Sequence, residues 1–271
     1  MPATTAGGGG DRVNRRWLCV ALSAVLVTAC LPVRAQNCTR IPPDGGCVRV
    51  LFIGNSYTFV NNLPGRFTAI AQSLGHPVYA EMIAPGGATL ADHAASTEVI
   101  ERIRAGHWTY VVLQEQSLMP AVEQSRQGQM YPAARQLVTE IRHAGARPVF
   151  YATWGRQNGW PEGGMAGYAE MQAQVTKGYR AIAEEMHAIV APVGDAWAAI
   201  ASAHPDIPLW QADGSHPTVQ GTFLAANVFV ATLLHETPRG LGSRGEVPET
   251  QVYRLQQAAA QAVAGTGAPP R

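Results

Sequence analysis

From about residue 48 to residue 193 the chain alternates short apolar runs, rich in β-branched and aromatic residues, with longer stretches whose apolar positions recur every three or four residues. A short apolar run bounded by Gly, Pro or polar residues marks a strand buried on both faces of a parallel sheet. Five segments qualify: 48–53, 77–83, 110–113, 148–153 and 188–193. The stretches between them, 63–74, 96–104, 131–143 and 166–186, carry the helical period. In the last, Tyr168, Met171, Val175, Tyr179, Ile182 and Met186 form one apolar stripe, an amphipathic helix facing a core. Strands alternating with helices predict an α/β protein, a three-layer α/β/α sandwich on a mainly parallel five-stranded sheet. An irregular stretch, 204–217, then leads into an apolar helix at 219–234 and a final helix at 250–263.

The N-terminus follows a different pattern. Arg12, Arg15 and Arg16 precede an apolar stretch at 17–31 that ends in Pro32-Val33-Arg34-Ala35, the layout of an export signal cleaved after Ala35. The apolar run is shorter than the roughly 20 residues a membrane span needs, so no transmembrane helix is expected after processing. Val27-Thr28-Ala29-Cys30 also resembles a bacterial lipobox, which would leave a lipid anchor at Cys30. The two readings give a periplasmic or secreted protein, or an outer-membrane-type lipoprotein. The expected organisation is a signal at 1–35, an extension at 36–47, the α/β domain at 48–264 and a disordered Gly- and Pro-rich tail at 265–271.

Length and charge narrow the function classes. A chain of 271 residues accommodates one large domain. With net charge +1 and 14% charged residues it lacks the basic footprint of a nucleic-acid binder. Of four cysteines, Cys19 and Cys30 fall in the signal. Cys38 and Cys47 flank the turn Pro42-Pro43-Asp44-Gly45-Gly46 and either close a small disulfide loop in an oxidising compartment or remain two thiols. No Cys-x-x-Cys or His-Glu-x-x-His run supports a metal site, and no cofactor is called for.

Two short motifs carry chemistry. Gly54-Asn55-Ser56 directly follows the first strand, so the Ser56 hydroxyl stands at the carboxyl edge of the sheet, where α/β proteins bind ligands. Read alone, the same residues make a turn and a helix cap. Asp213-Gly214-Ser215-His216-Pro217 puts a carboxylate three residues before an imidazole; one turn would bring both to one face, with Nδ1 held and Nε2 free for Ser56. Alone, it reads as a surface turn. Together they supply the hydroxyl, imidazole and carboxylate of a serine nucleophile.

These blocks, with Gly86-Gly87-Ala88-Thr89 after the second strand and Gly221 after the last motif, resemble the SGNH, or GDSL-like, hydrolase superfamily, in the right order over most of the mature chain. The resemblance implies a flavodoxin-like α/β/α fold, Ser56 as nucleophile and Asp213 and His216 as its partners. It also implies an oxyanion hole made by the Ser56 backbone N–H, a glycine N–H at Gly87 (Gly86 being the alternative) and a side-chain amide after the third strand. The chain departs from the family at two points. Asn55 replaces the usual aspartate of Gly-Asp-Ser, and Gln114-Glu115-Gln116-Ser117 stands where Gly-x-Asn-Asp is usual. A glutamine amide offers the same N–H donor on one more methylene. Gln116 is preferred over Gln114 by alignment of the block.

Trp154, Arg156, Gln157 and Asn158 follow the fourth strand on the same edge, and Trp154, Arg156 and Asn158 are read as lining a polar pocket suited to a polyhydroxyl ligand; the alternative is a plain loop with one packed tryptophan. His93 and His107 read as surface or hydrogen-bonded histidines, Glu115 as a loop brace, and Asp195 as a cap for the segment beginning Ala196-Trp197. The expected protein is an exported serine esterase working through an acyl-enzyme and deacetylating a carbohydrate or glycan. The alternatives are a lipase- or thioesterase-like hydrolase, with an apolar channel, and a non-catalytic carbohydrate-binding envelope protein.

Overall fold

A computed structural model describes residues 38–240 and 243–266. The expected export signal, the Cys30 anchor and residues 267–271 of the tail lie outside these residues.

Five strands, β1 (Val48–Ile53), β2 (Val78–Ile83), β3 (Tyr110–Leu113), β4 (Arg147–Tyr151) and β5 (Ile189–Ala191), form one sheet in the order β2-β1-β3-β4-β5. Every neighbouring pair is parallel. The helices are α1 (Ser56–Phe59), α2 (Leu63–Ser73), α3 (Leu90–Ala95), α4 (Thr97–Ala105), α5 (Glu123–Ser125), α6 (Tyr131–His143), α7 (Tyr168–Glu185), α8 (Val193–Ala203), α9 (Val219–Leu234) and α10 (Glu249–Gly265). A π-type stretch, Arg126–Met130, joins α5 to α6.

Side chains alternate across β1 and divide between two cores. Val50 and Phe52 pack with α2, α8, α9 and α10, whereas Leu51 and Ile53 pack with α3, α4, α6 and α7. Both faces of the central strands are thus covered, which is why their sequences are continuous apolar runs rather than alternating ones. Phe52 meets the rings of Phe67 and Phe229 edge-on at 6.0 and 5.1 Å. α9 is buried from Gly221 to Leu233, so it is apolar all round instead of striped. In its first turn Gly221 leaves no room for a side chain, since a Cβ there would meet the Trp197 ring and, at 2.6 Å, the Leu209 carbonyl.

Several elements differ from the sequence expectation. β5 ends at Ala191 because Pro192 has no N–H and its successor starts α8. α8 itself, unforeseen, buries Val193, Ala196, Trp197 and Ile200. Asp195 lies in its first turn and pairs with Arg180 at 2.7 Å; the N-cap is Pro192, so the expected Asp195 cap is replaced by an ion pair. The last helix runs on through Gly265, into the segment expected as tail. Cys38 and Cys47 form a disulfide. Its loop is docked by the buried Arg49, whose guanidinium donates to the Cys38 and Gly106 carbonyls and lies over the rings of Tyr79 and Trp108 at 4.5 and 4.7 Å.

Candidate active site

β1 lies between β2 and β3, so the chain leaves its carboxyl end in one direction and returns on the other side, a topological switch point. Ser56 opens α1 there. The turn before it is fixed by Gly54 N–H donating to the Ile83 carbonyl at 3.0 Å and Asn55 N–H donating to Gln114 Oε1 at 2.8 Å. Gly54 has no room for a side chain, since a Cβ would collide with Gln114 Oε1 and Thr58 Oγ1. Asn55 caps α1 by accepting from Tyr57 N–H at 3.2 Å.

The segment carrying Asp213 and His216 is not helical. A bridge between Trp210 and Pro217, and a hydrogen bond from Gln211 N–H to the His216 carbonyl at 2.8 Å, close it into a tight loop with Gly214 at φ 67°. Within it Asp213 Oδ1 accepts from the N–H groups of Ser215 and His216, both at 2.9 Å. This Asx-type turn, not a shared helix face, aims the other carboxylate oxygen, Oδ2, at His216 Nδ1, 2.5 Å away. His216 Nε2 is 2.9 Å from Ser56 Oγ. Desolvation pushes the Asp213 carboxyl up, but the His216 hydrogen bond and the two backbone N–H groups outweigh it and hold the pKa at about 2. The carboxylate therefore accepts, Nδ1 carries the imidazole proton, and Nε2 offers its lone pair to the Ser56 hydroxyl.

Asn55 ties this strand end to its neighbours. Its Nδ2 donates to the Ala88 carbonyl at 2.8 Å, and its Oδ1 accepts from Gln114 Nε2 at 2.9 Å. Gln114 is fully buried and also donates to the Glu115 carbonyl while accepting from Asn55 N–H and Thr58 Oγ1. Its amide is consumed within the protein. Gln116 is half-buried; its Oε1 accepts from Leu118 N–H at 2.8 Å, and its Nε2 has no partner among the described residues. Glu115, also fully buried, accepts through Oε1 from Leu90 N–H at 3.2 Å and Gln116 N–H at 2.6 Å. It thus links the loop bearing Gly86-Gly87 to the loop bearing Gln116. Burial raises its carboxyl to about 7 against the pull of those two N–H groups. Gly87 is exposed at φ 74°. His93 is buried, its Nε2 2.8 Å from the Gly54 carbonyl, and braces the turn from below.

Solved structures share this arrangement of strands. A protein from Slackia heliotrinireducens assigned to the SGNH hydrolases is 29% identical, over 69% of this chain and 99% of its own, with a TM-score of 0.58. A DUF4886 family protein from Bacteroides uniformis is 16% identical over 80% and 95%, with a TM-score of 0.68. An acetyl-xylooligosaccharide esterase from Geobacillus stearmophilus is 17% identical over 72% and 97%, with a TM-score of 0.54. The fold is SGNH-like. The Slackia likeness, at 29% identity, supports a hydrolase. No family model matches the chain, and no curated protein matches it.

In this SGNH-like frame one expected pocket residue has another place. Trp154 is fully buried, so it does not line a pocket. Its ring is stacked between Tyr57, at 4.5 Å, and Trp197, at 3.9 Å, and its Nε1 donates to the Ser215 carbonyl at 2.9 Å. The aromatic column therefore supports both residues that adjoin the bonded pair, Tyr57 next to Ser56 and Ser215 next to His216. Tyr57 and Ser215 also join through their hydroxyls at 2.8 Å. Arg156 is half-buried and donates to Ser117 Oγ at 3.3 Å, while Asn158 is exposed. Neither Tyr57 nor Ser215 stood out in the sequence, although each abuts a motif residue. A cavity of about 710 Å³ opens at the opposite ends of β4 and β5, beside Arg147 and Ile189, and does not include Ser56 or His216. Volume alone does not locate this chemistry.

Proposed function

We propose that this protein is an exported serine esterase that deacetylates a carbohydrate or glycan through an acyl-enzyme. The observation that carries the reading is the unbroken series from Ser56 Oγ to His216 Nε2, at 2.9 Å, and from His216 Nδ1 to Asp213 Oδ2, at 2.5 Å. His216 takes the Ser56 proton as the oxygen attacks the ester carbonyl, and Asp213 steadies the imidazolium. The Ser56 N–H, the Gly87 N–H and Gln116 Nε2 are assigned to the oxyanion; Gln116 is chosen over Gln114 because its amide donor is uncommitted. The imidazolium returns the proton to the leaving alcohol, and water then repeats the sequence on the acyl-enzyme to release the acid and restore Ser56.

Export is supported by the Cys38–Cys47 disulfide, a bond that persists in oxidising compartments. Among the described residues no helix is long and apolar enough to cross a membrane. Carbohydrate as substrate is supported by the half-buried and exposed polar groups of Arg156 and Asn158 beyond β4. The test is labelling by a fluorophosphonate together with release of acetate from acetylated sugars. The parent should label and turn over, Ser56→Ala and His216→Ala should do neither at more than about a thousandth of the parent rate, and Asp213→Asn should keep a small residue. Equal hydrolysis by Ser56→Ala would remove the nucleophile assignment.

A further inference from the structure

The loop after β4 presents a cation that has no carboxylate partner among the described residues. Arg156 is launched from a pinned backbone: Gly155 N–H donates to Gln172 Oε1 at 2.8 Å, Arg156 N–H to Met171 Sδ at 3.2 Å, and Gln157 N–H to the Gly214 carbonyl at 2.8 Å. Its side chain is half-buried, and its one bond among the described residues is the 3.3 Å contact from Nη2 to Ser117 Oγ. Nε is buried with no acceptor, and no carboxylate lies within ion-pair distance among the described residues. A guanidinium has five N–H donors, and one partly withdrawn from water is ordinarily paired. Here one of the five meets an acceptor among the described residues, and Nε is buried without one.

The position of this charge is informative. The Tyr57 hydroxyl meets Ser215 Oγ at 2.8 Å, and the charge of Arg156 acts on that same hydroxyl. Arg156 therefore lies beside Tyr57, the neighbour of Ser56, whose hydroxyl meets the neighbour of His216. The acidic groups of the site are otherwise engaged: Asp213 holds His216, and Glu115 is buried against Leu90 and Gln116. A neutral sugar would leave the guanidinium's charge unmatched.

We infer that Arg156 is a specificity-determining residue that binds a carboxylate on the sugar portion of the ester, making O-acetylated acidic sugars the substrate class. The charge is placed on the sugar because an acetyl group has no atom to carry one. A carboxylate fits the fork of the guanidinium with two parallel hydrogen bonds, which a hydroxyl cannot do. This inference rests on the esterase reading for its kinetic arm only.

The experiment has two arms. Calorimetry compares binding of galacturonate and galactose to the parent, Arg156→Gln and Arg156→Lys at low salt. Initial rates of acetate release compare O-acetylated galacturonate with galactose acetylated at the same position, with fluorophosphonate labelling of Ser56 run alongside. The parent should prefer the acidic sugar by about tenfold or more in both arms, the size of one charge-assisted pair. Arg156→Gln should bring each ratio to within about twofold of unity, and Arg156→Lys should retain part of it. A ratio near one in the parent, or a preference surviving in Arg156→Gln, overturns the inference. An unlabelled Ser56 with no acetate released would instead overturn the esterase reading, and the binding ratio would still decide the role of Arg156.

Discussion

Asn55→Asp restores the residue that the family resemblance leads one to expect, yet the structure predicts that it destabilises the protein. Asn55 is buried, and its Nδ2 donates to the Ala88 carbonyl at 2.8 Å. An ionised carboxylate cannot donate, so that hydrogen bond is lost and two oxygens face each other, costing about 2–4 kcal/mol for a buried, unpaired acceptor. Against this, the acceptor bonds from Gln114 Nε2 and Tyr57 N–H become charge-assisted, offsetting about 1 kcal/mol. The net loss is about 1–3 kcal/mol, which for a domain of this size lowers Tm by about 3–10 °C at pH 7.5. Burial and the facing carbonyl both raise the pKa of the introduced carboxyl in the folded state. The folded variant therefore holds its proton to higher pH than the unfolded chain, and the loss is absent below the unfolded value of about 3.9 and grows as pH rises through the folded value. Thermal unfolding of parent and variant between pH 4.5 and 8, followed by circular dichroism, reads the difference. A variant as stable as the parent at pH 7.5, or a deficit that does not shrink toward acid, would refute the assigned donor role of Asn55.

Two further outcomes follow from the packing beneath the site. Ionising Glu115, whose carboxyl is raised from 4.5 to about 7, costs about 3 kcal/mol that is absent below pH 4.5 and complete above pH 7. The Tm of the parent should thus fall relative to Glu115→Gln between pH 5 and 8; parallel curves would show that the buried carboxyl does not titrate there. Trp154→Leu removes the stack on Tyr57 and Trp197 and the donor to the Ser215 carbonyl, a loss of about 2–4 kcal/mol. It should lower kcat more than it changes KM, since the His216 loop loosens while Arg156 stays, and a raised KM at full kcat would return Trp154 to the ligand.

The sheet was legible because strands covered on both faces must be apolar throughout, so runs such as Val48–Ile53 and Tyr110–Leu113 stand out without any knowledge of their partners. α8 was not, since Pro192 and Val193 read as the end of a strand and Asp195 as a cap beyond it, and only Trp197 docking on Trp154 shows why the segment is helical from Val193. The pairing of Asp213 with His216 was legible, but by a route that proved incorrect: the two meet through an Asx-type turn. Trp154 was placed on the correct edge and given the wrong direction, because a position just past a strand fixes height and not which way the ring points. Gln114 and Asn55, 59 residues apart, bond through both side chains and backbone, and no local pattern announces such a pair.

That pairing explains how so weak a motif as Gly-Asn-Ser can position the hydroxyl proposed as nucleophile. Ser56 itself makes one side-chain contact that matters, to His216, and its own helix is only four residues long. Its placement comes from its neighbours. Asn55 is bonded to the loops after β2 and β3, and Tyr57 is stacked on the loop after β4 and bonded to the loop that carries His216. Four loops from distant parts of the chain thus converge on the two residues that bracket the serine, at the switch point where the strand ends diverge. A hydroxyl held from both sides loses little further freedom when it attacks, which is the condition that oriented nucleophiles need. Loosening either side, through Asn55 or through Trp154, should therefore leave every group of the series in the sequence and still slow the reaction, because what is lost is their alignment.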